Sequence, residues 1–414
     1  MMRGRSRGGR AETPVSTLLV LVAILTVLAP IAEATMSPPG PRAAPIALLS
    51  TRGVRADPFD TSGVGITSGP SGLFFDYVVT IVMENKGICE ILTTCGGAAP
   101  YLTSLANDSG LATHFTQCSV PSLSNYLCLT AASSFGCTAN SHPRSDACTW
   151  AAWNATNIVS RLVDAGLTWK AYLEAMPTNC DSSNAGRYAV KHNPFVYYGD
   201  LAGNATRCSR VVPAGPSDQA LLNGLDSVAN ASNYMWLTPD LCNDMHDCNV
   251  TVGDAFMAGL VPQILNSTVF RTQRAALLIT YDEDGGKGSP NLYTVWSGPM
   301  ARRGYRSAVA YDHFSVLRTL EENWNLAPLN GNDSSASSMA SFLVEGPVAR
   351  FVSSPAWPQG NATVTFNAST SSSSAPNVTL QFRWDWTDDG IWDTPWSTNP
   401  IAEHAYTPAG VYTA

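Results

Sequence analysis

Between residues 74 and 344 the chain alternates short, almost uniformly apolar runs with stretches of helical spacing. Tyr77–Met83 (YVVTIVM) is an apolar run rich in β-branched residues, and Trp169–Leu173, Tyr234–Leu237 and Leu277–Tyr281 are further short runs of the same kind. Helical spacing over Ala98–Leu111, Leu123 to about Ala132, Ala255–Leu265 and Phe314–Asn323 predicts helices. Strands that are apolar on both faces are buried on both faces. The pattern therefore predicts an α/β domain with a parallel sheet covered by helices on each side. Near Gly346 the pattern changes. Phe351 to Ala414 is rich in Ser, Thr, Asn, Pro and Trp, and alternation at Thr363–Phe366 and Leu380–Trp386 predicts a small all-β unit over 346–414.

The ends and the composition narrow the class. Arg3, Arg5, Arg7 and Arg10 precede an apolar run from Leu18 to about Leu28, followed by Ala32-Glu33-Ala34, a small-x-small pattern. This predicts a secretory signal over 1–34, because the run is shorter than the ~20 residues a membrane span needs. No later segment reads as a span. Residues 35–73, rich in Pro, Gly, Ser and Thr, read as a leader or linker. Ten cysteines without CxxC spacing fit disulfides in an oxidising compartment, with Cys89–Cys95, Cys137–Cys148 and Cys242–Cys248 as plausible neighbours and the connectivity otherwise open. Ten Asn-x-Ser/Thr sequons suit an exposed surface. A net charge of −8 with 14% charged residues gives no basic surface for nucleic acid. The expected location is secreted, extracellular or at the cell surface.

The chemistry gathers after the strands. Tyr77–Met83 runs into Glu84-Asn85-Lys86, Leu277–Tyr281 into Asp282-Glu283-Asp284-Gly285-Gly286, and Tyr234–Leu237 into Pro239-Asp240 and Asn243-Asp244-Met245-His246-Asp247. In open α/β sheets the ligand site lies beyond the carboxyl ends of the strands. Each cluster alone is an ordinary polar turn. Three of them together repel unless a cation sits between them. Pro121-Ser122-Leu123-Ser124-Asn125-Tyr126 adds a serine at the mouth of a helix, either an N-cap or a nucleophile whose phosphate ester the helix N-terminus would stabilise. His192, within Lys191-His192-Asn193-Pro194-Phe195, His246 and His313 are the histidines placed near such chemistry. His246 and His313 each adjoin an Asp that can orient the ring. His142 and His404 read as surface or core residues, and His114 has no assigned role.

Val78–Lys86, Pro121–Tyr126, Lys191–Phe195, Asn243–Asp247, Thr280–Gly286 and Tyr311–Glu321 occur in an order that resembles the phosphoesterase family, which groups bacterial phospholipases C with acid phosphatases. The resemblance spans about 76–343 and implies an alkaline-phosphatase-like sheet. It implies a divalent metal held by Glu84, Asn85, Asp282 and Glu283, Ser122 as phosphoryl acceptor, and Asn125 on the phosphate. His192 and His246 would line the pocket, with His313 near the substrate; the number of metals stays open, a second site using Asp244, His246, Asp312 or His313 being the alternative to a single one. Ser124 stands where the family often has Pro, Asp284 where the phospholipase branch often has His, and Tyr126 where phospholipases tend to have Arg. These departures point to the acid-phosphatase branch and a phosphate-monoester substrate. A phospholipase C or other phosphodiesterase is the alternative, and a non-catalytic surface protein a third reading.

Trp384-Asp385-Trp386-Thr387-Asp388-Asp389-Gly390, then His404-Ala405-Tyr406 and Pro408–Tyr412, resemble a PKD domain, an immunoglobulin-like sandwich. The chain stops at Ala414, where the last strand of such a sandwich would begin, so a truncated module is expected. Its expected contacts are carbohydrate or protein at a cell surface.

Overall fold

The computed structural model describes residues 71–286, 290–344, 351–355, 362–371, 379–387 and 392–407, with the backbone of Ala47–Leu48 and Val411–Tyr412. The predicted export signal and nearly all of the leader lie outside the described residues. Eight strands form the main sheet: β1 (Tyr77–Met83), β2 (Gly110–Ala112), β3 (Trp169–Leu173), β4 (Val211–Pro213), β5 (Tyr234–Thr238), β6 (Ala275–Tyr281), β7 (Thr294–Ser297) and β8 (Arg306–Ser307). Their spatial order is β8-β2-β7-β6-β1-β5-β3-β4.

The sheet is mixed, which corrects the wholly parallel expectation. β7 runs antiparallel to β6 and β2, and every other pairing is parallel. β6 and β7 are joined by a short connection without a crossover helix, so the chain has to return antiparallel. Every residue of β1, β5 and β6 is buried, as their apolar composition requires. In register, Ile81 of β1 lies beside Leu237 of β5 and Ile279 of β6. The three strands therefore end at one edge, and Glu84, the loop after Thr238 and Asp282 emerge together.

Four helices matter for the site: α1 (Pro100–Asp108), α2 (Ser122–Ala131), α3 (Val250–Leu265) and α4 (His313–Trp324). α1 opens with Pro100, whose missing N–H costs nothing there, and the Asp254 carboxylate of α3 accepts from the Tyr101 and Leu102 amides at 3.0 and 2.9 Å. Asn249 caps α3 through the Val252 amide, and Asp312 caps α4 through the Ser315 amide. α4 packs on α2, all of whose residues are buried, including Ser122, Ser124, Asn125 and Thr130. Trp169, Trp236 and Trp296 fill the core, each burial contributing about 2–3 kcal/mol. Asn323 of α4 fastens the entry to β1: its Oδ1 accepts from Phe74 N and Phe75 N at 2.8 and 3.0 Å. A Cβ at position 72 would lie 2.3 Å from its Nδ2, so glycine is required there.

The later segment holds a separate antiparallel sheet of Val352–Ser354, Thr363–Asn367 and Ile401–Ala405 over a cluster of Val364, Phe366, Trp384, Trp386 and Tyr406. The expected strand at Leu380–Trp386 is reduced to a single bridge, Phe382 to Ser397. The Trp384 and Trp386 amides donate instead to Thr394 Oγ1 and Asp393 Oδ2, both at 2.7 Å. All ten cysteines are paired, each with its neighbour in sequence: Cys89–Cys95, Cys118–Cys128, Cys137–Cys148, Cys180–Cys208 and Cys242–Cys248.

α4 also buries Glu321. Desolvation, then the adjacent Asp333 carboxyl group, pushes Glu321 up to about 9. The folded state holds this proton where the unfolded chain has lost it. The associated stability is complete below about pH 4 and declines as pH rises toward 9. Glu321→Gln is expected to flatten the fall of Tm between about pH 5 and 9. An unchanged slope in thermal unfolding across that range would exclude such a proton.

Candidate active site

The site grows from the shared edge of β1, β5 and β6. Glu84 follows β1, and its amide donates to the Asp244 carbonyl at 2.9 Å, which locks the β5 loop to β1. Asp282 follows β6; its amide donates to the Met83 carbonyl at 3.0 Å and its Oδ1 accepts from the Asn85 amide at 3.0 Å. Asn85 takes a positive φ of 53° to make that turn, a conformation asparagine tolerates. Its Nδ2 donates to Glu84 Oε2 at 3.0 Å. Glu84, Asp244 and Asp282 are all fully buried.

Ser122 meets this group from α2. Of the two readings open from the sequence, the N-cap does not hold, since Pro121 takes that position and Ser122 is the first helical residue. Its hydroxyl, 2% exposed, makes no cap and donates to Glu84 Oε2 at 3.2 Å. Two amides of the helix mouth are already engaged: Leu123 N with Asn140 Oδ1 at 3.0 Å, and Ser124 N with the Pro121 carbonyl at 2.9 Å. Ser124 Oγ donates to that same carbonyl at 2.6 Å, a purely local role. Asn125 grips the preceding loop through Ser119 N and Ser119 O at 3.0 and 2.9 Å, and its Nδ2 lies 3.5 Å from Glu283 Oε2.

His192 stands between two carboxylates, with Nε2 3.0 Å from Glu84 Oε1 and Nδ1 3.4 Å from Asp244 Oδ2. The Tyr126 ring, stacked at 5.3 Å and 16°, fixes its plane. Burial, with Lys191 and His246 beside it, holds His192 well below the usual histidine range, so it is neutral. Glu84 Oε1, Asp244 Oδ2, Asp282 Oδ2 and His192 Nε2 are all buried and, apart from the close approaches of His192 to Glu84 and Asp244, none makes a well-formed hydrogen bond in the protein. Buried polar atoms are as a rule paired, so a gathering of such atoms of ligand type at one place fits a cation. One ligand atom each from Glu84, His192 and His246 lies within 4.8 Å of the others. The residues present can therefore hold a divalent metal ion.

The expected ligands divide. Glu84 and Asp282 belong to this buried group, while Asn85 and Glu283 adjoin it. His192 and Asp244 contribute more directly to that group than their sequence neighbourhood indicated. His246 sits at its edge, with Nδ1 2.6 Å from Asp247 Oδ1 and Nε2 3.0 Å from Lys191 Nζ. His313 is placed elsewhere: fully buried, it donates from Nε2 to the Tyr281 carbonyl at 3.1 Å and supports the peptide leading into Asp282. Burial lowers it to about 4. The Asp312 side chain is occupied in capping α4. Lys191 was passed over in the sequence because it reads as an ordinary solvated residue, its one signal being adjacency to His192, whereas Asp247 is the acid expected beside His246 to orient its ring.

Comparison with known proteins gives this geometry a class, that of a phosphoric ester hydrolase. The sequence profile of the Phosphoesterase family matches residues 95–327, more than half of the chain, and the chain belongs to that family. A phosphatidylinositol-3-phosphatase of Mycobacterium tuberculosis is 32% identical over 255 residues, covering 61% of this chain and 78% of that protein. An acid phosphatase of Aspergillus fumigatus is 27% identical over 247 residues (56% of this chain, 52% of the relative). A phosphate-repressible acid phosphatase of Penicillium chrysogenum is 25% identical over 282 residues (65% and 64%). The chain thus spans only 52% and 64% of the lengths of these two fungal relatives. Among solved structures, a protein of the alkaline phosphatase superfamily from Vibrio parahaemolyticus is similar at a TM-score of 0.47 and 10% identity, over 75% of this chain and 80% of that one.

Burial pushes Asp244 up to about 8, and burial with Asp282 and Asp284 pushes Glu283 up to about 7. These raised values favour the protonated carboxyls, so the metal-free fold is most stable at low pH and loses stability as pH rises through about 7–8. Binding a divalent cation favours the ionised forms instead. The Tm gain on adding Mg²⁺, Mn²⁺, Ca²⁺ or Zn²⁺ to chelator-treated protein is expected to be larger at about pH 8 than at about pH 5. A gain independent of pH, or none with any ion, contradicts a cation among these carboxylates.

Proposed function

We propose that the chain is a secreted, metal-dependent phosphomonoester hydrolase of the acid-phosphatase type, with an alkaline-phosphatase-like domain over 74–344, that passes the phosphoryl group through Ser122. The observation that carries this reading is the Ser122 hydroxyl, buried and oriented at 3.2 Å by Glu84 Oε2 amid acids with unpartnered oxygens. Glu84 and Asp282, flanked by Asn85 and Glu283 and faced by His192, would hold the metal, which when bound neutralises phosphoryl charge and acidifies the attacking hydroxyl.

This chain's own groups set the rest. Glu84 Oε2 accepts the Ser122 proton in a hydrogen bond and so aims an Oγ lone pair into the pocket. Attack forms the Oγ–P bond as the P–O bond to the alcohol breaks, and the proton lost from Oγ goes by way of water to the departing alkoxide, which leaves as the alcohol. Water then displaces Oγ from phosphorus, giving inorganic phosphate and restoring the hydroxyl. Asn125 Nδ2 is the polar group at the rim that meets a phosphoryl oxygen, and neutral His192 remains with Glu84 and Asp244. His313 contributes by holding the Tyr281 carbonyl ahead of Asp282. The similarity to a phosphatidylinositol-3-phosphatase supports including phosphate monoesters on lipid headgroups in the substrate class. Five disulfides support export. The small sheet and aromatic cluster beyond residue 351 support a PKD-like module, for which a carbohydrate or protein contact at the cell surface is proposed from the resemblance alone.

Ser122→Ala is expected to keep the wild-type Tm and to lower monoester turnover by about a thousandfold or more. Acid quenching with a ³²P-labelled monoester should trap label on wild-type protein and none on the variant. Retained turnover in Ser122→Ala would remove Ser122 as the nucleophile. Hydrolysis of phosphatidylcholine in preference to monoesters would move the reading to a phospholipase C.

A further inference from the structure

The pocket carries a cation that none of the roles above uses. Lys191 precedes His192, and its Nζ is 3.0 Å from His246 Nε2. Among the described residues no carboxylate lies within 4.0 Å of that ammonium, although Glu84 and Glu283 are close enough to feel its charge. An ammonium is a donor only, so His246 Nε2 accepts, and its ring proton lies on Nδ1, directed at Asp247 Oδ1 2.6 Å away. Asp247 thus sets the tautomer, His246 serves as a neutral mount, and Lys191 is held beside the site without a carboxylate in ion-pair contact. Lys86 does not compete for this role, since it is buried and donates to the Met245 carbonyl at 2.7 Å.

An ammonium with no carboxylate in ion-pair contact, beside a phosphoryl-accepting serine, is an anion receptor. We infer that Lys191 binds the second anionic oxygen of the substrate and selects dianionic phosphomonoesters over phosphodiesters, with His246 and Asp247 as its positioning residues; this rests on the phosphoryl-transfer reading of Ser122. A diester carries one negative charge and places an ester substituent where the monoester has its second anionic oxygen. The lysine contributes to binding of the first far more than of the second. Arginine keeps the charge, whereas methionine keeps the apolar stem and removes it.

The test is the ratio of kcat/KM for p-nitrophenyl phosphate to that for bis(p-nitrophenyl) phosphate, with the Ki of inorganic phosphate read alongside. Lys191→Met is expected to lower the ratio about thirtyfold and to raise that Ki at least about tenfold, with Lys191→Arg restoring most of both. Asp247→Asn is expected to lower the ratio by about threefold, because His246 loses the partner that sets its tautomer. Equal losses on monoester and diester in Lys191→Met, or an unchanged phosphate Ki, would overturn the assignment. Lys191 is only partly buried, so the fold is expected to survive; if Lys191→Met misfolds, Lys191→Gln is read by the same ratio. The two readings fail separately. An active Ser122→Ala defeats the phosphoserine reading, whereas an inactive Ser122→Ala with an unaltered ratio in Lys191→Met defeats only the lysine.

Discussion

The repulsion among Glu84, Asp244 and Asp282 governs this architecture. Three carboxyl groups without solvent exposure are costly in any fold, and here parallel register forces them together. β1 lies between β5 and β6, so the residues leaving those strands converge whatever their chemistry. Among the described residues the surrounding structure pairs none of the three with an arginine or lysine within 4.0 Å. It supplies neutral His192 and a serine hydroxyl, and leaves ligand atoms without well-formed hydrogen bonds. Such an arrangement is poor for stability taken alone and well suited to a charged guest. The supports are accordingly strong: the Glu84 amide on the Asp244 carbonyl, the Asp282 amide on the Met83 carbonyl, and His313 on the Tyr281 carbonyl.

Much of this was legible in the sequence, for physical reasons. A run such as YVVTIVM admits few environments other than a strand buried on both faces, so β1, β3, β5 and β6 announce themselves and the acids after them inherit a place. Gly110–Ala112, Arg306–Ser307 and Thr294–Ser297 were not legible. Two to four residues carry no periodicity, and the reversal at β7 depends on the absence of a crossover helix rather than on composition. The strand expected at Leu380–Trp386 fails because nearby Thr394 and Asp393 side chains satisfy its amides locally. The N-cap reading of Ser122 erred in an instructive way. A serine beside a helix start is satisfied by its own helix unless tertiary structure offers a better acceptor, and Glu84 lies 38 residues upstream. Lys191 was invisible for the opposite reason, since only the fold shows that the lysine lacks a carboxylate within ion-pair distance among the described residues.

The small C-terminal sheet follows a different economy. Its aromatic residues stack on one another, with Trp384 on Trp386 at 5.3 Å and Trp386 on His404 at 4.7 Å, so the unit holds its own cluster with short strands and little regular pairing. That explains why alternation overestimated its strands.

The cysteine pairing has a consequence for how the molecule comes into being. Every bridge joins consecutive cysteines, none spanning more than 28 residues, so no bridge encloses another. A chain threaded N-terminus first into an oxidising space meets each cysteine's partner before the next pair emerges, and correct oxidation needs no reshuffling. Two of these small rings hold chemistry: Cys118–Cys128 encircles Ser122 and Asn125, and Cys242–Cys248 encircles Asp244, His246 and Asp247. Each closure removes on the order of 2–3 kcal/mol of chain entropy from its loop before the sheet exists. The loops that carry these side chains can thus be shaped during emergence, one at a time, before the strands that position them are all present.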